Sequence, residues 1–192
     1  CSFRGKNTGL YNQYPSPFAS CLAMDRCRTV YEHVNSTLVD AKFTSGIHET
    51  VNGVPVLGPK MTIAELLNYT AILMIEGIDV ATGLKWALLS NSVILMKPPT
   101  RTTFAMEERL EPWVHYVPLN DRLTDVEEKM QWVMDHADHA QNIAKRATLW
   151  IQDLLHHPDA DKENQMIEDE IPRRYQKHFR EAKSLPVDEE FM

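Results

Sequence analysis

Apolar positions crowd into one block near the middle of the chain. Residues 69–75 form an almost continuous apolar run, which predicts a strand buried on both faces. The run ends at Glu76-Gly77 and passes through a short turn. Residues 83–90 follow, with Leu84, Ala87 and Leu88 at helical spacing. Residues 92–96 are apolar again and stop at Pro98-Pro99. Strand, helix and strand within about 28 residues predict parallel pairing through a right-handed crossover.

The flanking pattern is helical or broken. Ser2 and Phe3 read as a strand end running into a glycine turn, Gly5 to Gly9. Residues 18–33 predict a helix anchored by Leu22, Val30 and Tyr31. Residues 44–60 hold three glycines and two prolines and predict loop or short extended structure. Thr62-Ile63-Ala64-Glu65 is a capping box that opens a short helix over 62–67. Residues 113–119, set between Pro112 and Pro118, predict another strand. Thr124-Asp125-Val126-Glu127 forms a second capping box, with Val126, Met130, Val133 and Met134 facing inward on a helix to about Asp135. Asp138 is placed to cap a helix running to about Leu155. Residues 171–183 predict a surface helix, and residues 186–192 a loose end. The expected organisation is an α/β layer domain over 1–156 and an acidic, partly helical extension over 157–192.

Composition narrows the function classes. The chain is 43% hydrophobic and 24% charged, which fits a globular core. Its net charge of −7 argues against non-specific nucleic-acid binding, which needs a basic face. Residues 157–192 hold ten acidic against six basic residues, so the body is nearly neutral. No apolar run approaches the roughly 18 residues of a membrane span. The chain opens at Cys1 without an initiator Met, so it is expected to be the downstream part of a longer protein, with any targeting segment outside it. Cys1, Cys21 and Cys27 lack metal-ligand spacing. A disulfide between two of them and plain buried thiols both stay open. The sequons Asn35-Ser36-Thr37 and Asn68-Tyr69-Thr70 lean toward a secretory compartment.

In open α/β sheets, ligands sit beyond the carboxyl ends of the strands, and two loops qualify. Gly77, Ile78, Asp79, Val80, Ala81, Thr82 and Gly83 lead into a helix N-terminus, where free amides favour an anion, and Lys85 adds a cation. The competing reading is an ordinary turn capped by Thr82. Arg4, Gly5, Lys6, Asn7, Thr8 and Gly9 suit a diphosphate through a guanidinium fork and exposed amides; a surface hairpin turn competes. Glu107 and Glu108 suit ribose hydroxyls, against a solvated helix face. His115 on its expected strand reads as a structural group rather than a base. His136 and His139 lack a third metal ligand in the pattern, and no nucleophile motif is present.

The order of these segments resembles glycosyltransferase family 90. Phe3-Arg4-Gly5-Lys6-Asn7-Thr8-Gly9 looks like its aromatic-Arg-Gly opening, and Leu38-Val39-Asp40-Ala41 like a short piece downstream. Residues 76–92 look like its nucleotide loop and helix. Residues 110–119, Leu-Glu-Pro-Trp-Val-His-Tyr-Val-Pro-Leu, look like its most distinctive signature. The resemblance covers residues 1 to about 155. It implies a Rossmann-like parallel sheet with flanking helices, the C-terminal, donor-binding half of a two-domain GT-B glycosyltransferase. By resemblance, Ile78 to Gly83 and the turn around Lys6 contact the diphosphate of a UDP-sugar. Where protein O-glucosyltransferases place an Arg, this chain has Gly83, so Arg4 or Lys85 would supply the charge. The implied chemistry is inverting transfer of glucose or xylose to a hydroxyl on a protein or glycan, with no metal or other cofactor. The catalytic Asp of the family lies in the other half and maps to nothing here. A eukaryotic version would work in the endoplasmic reticulum or Golgi lumen. The competing classes are a noncatalytic nucleotide- or carbohydrate-binding module and a plain α/β interaction domain with an acidic tail.

Overall fold

The computed structural model describes residues 1–6, 16–45 and 49–179. The chain divides into two compact units, Cys1–Asp153 and Leu154–Met192.

Five strands of the first unit form one parallel sheet. They are β1 (Ser2–Lys6), β2 (Asp40–Ser45), β5 (Ala71–Met74), β6 (Val93–Met96) and β7 (Val117–Pro118), in the order β2-β1-β5-β6-β7. A small antiparallel pair, β3 (Thr50–Val51) and β4 (Val54–Pro55), lies outside it. The central β5 and β6 pair in register from Ala71↔Val93 to Met74↔Met96. Successive side chains point to opposite faces, and in β6 all four are buried. That is why these two segments read as continuous apolar runs. The edge strand β2 instead alternates, with Ala41 and Phe43 buried and Asp40, Lys42 and Thr44 partly exposed. Leu73, Leu95 and Val117 belong to one core cluster with Val30, Val126, Met130 and Ile143.

The first crossover departs from the expected single helix. It comprises α1 (Pro17–Ala23) and α2 (Asp25–Glu32), broken at Met24, whose φ of −106° and ψ of 124° are extended. A disulfide between Cys21 and Cys27 spans the break, and Cys1 remains a buried thiol. Leu22, expected as an anchor, sits beside the break and is exposed. Val30 is buried, and Tyr31 packs edge-on to Phe18 at 5.3 Å.

The two capping boxes have different outcomes. Thr62 and Glu65 cap α3 (Ile63–Leu66) reciprocally. At α5 (Val126–Asp135) the N-cap is Asp125, without a side-chain cap bond. Thr124 Oγ1 accepts from Asn120, and Glu127 accepts from Ser36, so both box residues are engaged elsewhere. Met134, expected inward, is exposed. The next helix, α6 (Ala137–His156), carries Asp138 inside its first turn rather than as a cap.

The strand expected over 113–119 shrinks to β7. Residues ahead of it form a tight turn: Trp113 N donates to Tyr116 O at 2.7 Å, and His115 N donates to Glu111 O at 2.9 Å. Trp113 takes φ of 64°, a left-handed conformation unusual for a bulky residue. His115 therefore does not alternate along a strand. Its Nδ1 accepts from Glu111 N at 2.9 Å, and burial lowers its pKa.

In the second unit, α7 (Ala160–His178) starts well before the surface helix expected over 171–183 and holds Pro172 inside it. None of its residues is buried. Glu170 accepts from Arg173 and Arg174, and those hydrogen bonds hold its pKa down at about 2. The loose end expected over 186–192 lies outside the described residues. No helix among the described residues is long and apolar enough to cross a membrane.

Candidate functional site

The chain leaves β1 toward β2 on one side, then returns across the sheet to β5 on the other. The strand order thus reverses between β1 and β5, and a crevice opens beyond their carboxyl ends, where doubly wound sheets bind ligands. The cavity there has a volume of about 680 Å³, within the range of small-molecule sites. Its walls include Arg4, Gly5 and Lys6 at the end of β1 and Gly77 to Gly83 after β5.

Arg26 also borders this crevice. From the first turn of α2 it donates through Nε and Nη2 to Ile75 O, at 3.0 and 2.8 Å, and through Nη1 to Lys6 O at 3.4 Å. One guanidinium thereby laces together the carbonyl ends of both strands, and burial lowers its pKa. Asp25 fixes the start of α2 by accepting from Arg28 at 2.6 Å and from Lys97. Nothing local in the sequence marks Arg26, because its partners lie 20 and 49 positions away.

The loop of residues 76–83 is tied at its base. Glu76 accepts from the amides of Thr100 and Arg101 at 3.0 and 3.2 Å, joining the loops after β5 and β6. Val80 N donates to Asp79 Oδ1 at 2.8 Å, and Gly77 N to Asp79 O at 3.1 Å. Among the described residues, the amides of Thr82 and Gly83 make no hydrogen bond. Thr82 is not the helix cap it was expected to be. The N-cap of α4 (Leu84–Leu88) is Gly83, with no side-chain cap bond. Five residues make a weak dipole, so the loop's open amides matter more than the helix. A Cβ on Gly83 would lie 3.1 Å from Trp86 Nε1 and 3.3 Å from the Met74 methyl. The indole thus crowds the position where protein O-glucosyltransferases were expected to carry an Arg.

The two cations assigned to the diphosphate face other partners. Arg4 borders the crevice, but its guanidinium donates to Asp40 Oδ2 and O, both at 2.8 Å, and to Phe3 O at 3.0 Å. Burial works to raise the pKa of Asp40, yet the hydrogen bonds from Arg4 and Tyr69 outweigh it and hold the carboxyl low. Lys85 does not border the crevice. Its Nζ lies 3.1 Å from Glu107 Oε1 and 5.2 Å from the ring centre of Phe104. Glu107 is only 1% exposed, which removes the solvated-face reading for it, while Glu108 is exposed. Thr103 donates to Glu107 from its amide at 2.7 Å and from its hydroxyl. Burial alone would raise the pKa of Glu107; the bonds from Thr103 and Lys85 leave it lowered. Glu107 also lines an enclosed cavity of about 20 Å³ beneath Val80, Ala81 and Leu84.

The structure thus brings Arg4, Lys6, Ile78, Asp79, Val80, Ala81, Thr82 and Gly83 to one crevice and turns Lys85 away from it. Thr8 lies outside the described residues. His136 stacks on Trp132 at 4.8 Å, and its Nδ1 lies 2.9 Å from the acceptor Trp132 O. Among the described residues no group of three or more His, Cys, Asp or Glu is placed to hold a metal ion.

A sequence profile of glycosyl transferase family 90 matches residues 28–161. O-glucosyltransferase LpsA of Dichelobacter nodosus is 43% identical over 91 residues, 47% of this chain and 29% of that protein. Protein O-glucosyltransferase 3 of Homo sapiens is 32% identical over 96 residues, 50% of this chain and 18% of that protein. Protein O-glucosyltransferase 1 of Rattus norvegicus is 29% identical over 130 residues, 65% of this chain and 32% of that protein. Each match spans less than a third of the relative's own length.

Proposed function

Because the chain belongs to glycosyl transferase family 90, we propose that residues 1–156 are the donor-binding part of a GT-B sugar transferase that takes a UDP-sugar. The observation that carries this reading is the crevice between β1 and β5, walled by the Gly77 to Gly83 loop and the end of β1. The diphosphate lies against the open amides of Thr82 and Gly83, with Lys6 and Arg26 supplying positive charge. The transferred sugar is glucose or xylose, and the acceptor is a hydroxyl on a protein or glycan.

In this reading the acceptor oxygen loses its proton to an Asp supplied by the other half of the enzyme and attacks the anomeric carbon. The bond to the diphosphate breaks with inversion, and negative charge grows on the leaving oxygen. This chain's part is to stabilise that charge with fixed amides and cations, a task that requires no metal ion. The working compartment is an oxidising lumen, endoplasmic reticulum or Golgi, and the buried Cys21–Cys27 disulfide supports that.

Calorimetry tests the donor site. UDP is expected to bind more tightly than UMP, and UMP more tightly than uridine, because each phosphate adds charge-assisted contacts. Equal affinities for uridine and UDP would sink the diphosphate assignment.

A further inference from the structure

We propose that Asn35 and Asn68 carry N-linked glycans, both in turns that lead into the amino ends of strands of the parallel sheet. Asn35 and Thr37 are exposed in the turn between α2 and β2, while Ser36 is turned inward. The Ser36 hydroxyl accepts from Leu38 N and Val39 N, at 3.2 and 3.1 Å, and donates to Glu127. Asn68 and Thr70 are exposed in the turn between α3 and β5, while Tyr69 is turned inward. Its hydroxyl donates to Asp40 Oδ2 at 2.6 Å. In both triplets the middle residue pins the turn and the two recognition residues face solvent. Asn68 Nδ2 donates one N–H to Ala64 O at 3.3 Å, which leaves its second N–H for substitution.

Both turns feed the amino ends of parallel strands, β2 from Asp40 and β5 from Ala71. The loop wall of the crevice, Gly77 to Gly83, lies at the carboxyl end of β5, while Ile63 and Leu66 of α3, close in sequence to Asn68, also line it. Cys21 and Cys27 are joined and buried, which places folding in an oxidising compartment, where N-glycosylation also occurs.

The donor is an oligosaccharide on a polyisoprenyl diphosphate. The asparagine Nδ2 bonds to the anomeric carbon, the bond from that carbon to the diphosphate oxygen breaks, and the amide's N–H proton passes to a carboxylate base of the transferring enzyme. No oxidation or reduction is involved. The proposal stands apart from the UDP-sugar reading, since it uses neither loop of the crevice.

The test is the full chain secreted from eukaryotic cells behind a secretion leader. Digestion with peptide N-glycosidase in ¹⁸O-labelled water should convert Asn35 and Asn68 to labelled aspartate, read by peptide mass spectrometry. On a gel, Asn35→Gln and Asn68→Gln should each remove one mobility step, and the double variant two. Thr37→Ala and Thr70→Ala should do the same, whereas Thr37→Ser and Thr70→Ser should keep the glycan. Label at neither position in the secreted wild-type chain overturns the proposal, whatever the variants do. Label at only one position overturns it for the other.

Discussion

Lys85 and Arg26 sit differently from what their positions in the sequence suggest. Lys85 follows the glycine loop and reads as the phosphate cation, yet its ammonium is bound to the buried carboxylate of Glu107. Arg26 sits in an unremarkable helical stretch, yet it lies on the crevice. Truncating Lys85 leaves Glu107 with only its Thr103 bonds. Lys85→Ala is therefore expected to lower stability by about 1–3 kcal/mol in urea unfolding, with only a minor loss of UDP affinity. Arg26→Ala is expected to weaken UDP binding by about ten- to a hundredfold, the worth of one charge-assisted contact. The opposite ranking in calorimetry would return the phosphate cation to Lys85. Neither role was legible in the sequence. Whether a cation faces a ligand or a carboxylate depends on partners such as Glu107 and Ile75, 22 and 49 positions away.

At the scale of elements, the apolar pattern located β5, α4 and β6 because each buries its side chains against the sheet or within the layer beside it. It missed β2, whose alternation of small and large residues, Ala41 then Phe43, is too brief to stand out between polar neighbours. It over-read residues 113–116, where the β-prone Trp, Val and Tyr are spent on a turn with a left-handed Trp113. Propensity alone cannot separate a strand from such a turn, since the deciding bonds are to Glu111 and Tyr116. The break at Met24 has a consequence for the site. The Cys21–Cys27 bridge closes a loop of six positions across it and holds the first turn of α2, which carries Arg26. Closing so short a loop contributes about 2 kcal/mol by chain entropy. Replacing both cysteines by serine is expected to lower stability by about that amount. It should also weaken UDP binding, since Arg26 loses its fixed approach. Unchanged UDP affinity in the double variant would show that Asp25, through Arg28 and Lys97, suffices to hold the turn.

At the scale of the molecule, two loops were expected at the carboxyl edge of a parallel sheet; the fold places residues 77–83 after β5, carries Arg4 to Lys6 in the last residues of β1, and Asn7 to Gly9 lie outside the described residues. What no local pattern could supply was strand order, because the sheet runs β2-β1-β5-β6-β7 while the chain visits β2 before β5. That order makes the β1–β5 crevice the point of reversal and brings the end of β1 and the loop after β5 onto one cavity. The same geometry limits what this chain does alone. The crevice holds amides and cations, which suit a leaving diphosphate. Among the described residues that line it, Asp79 is the one carboxylate, and its Oδ1 accepts from Val80 N within the turn. A general base must reach the proton it removes, and Glu107 lies buried beneath the loop with Lys85 and Thr103. Residues 1–192 are thus expected to bind UDP and to be stabilised by it. At a hundred times the dissociation constant the gain is about 2.7 kcal/mol, read as a rise in melting temperature. The same preparation is expected to release no UDP from UDP-glucose or UDP-xylose in the presence of an acceptor hydroxyl. Turnover by this chain, abolished by Asp79→Asn with UDP binding retained, would place the base in the loop and overturn the assignment of that proton transfer to another domain.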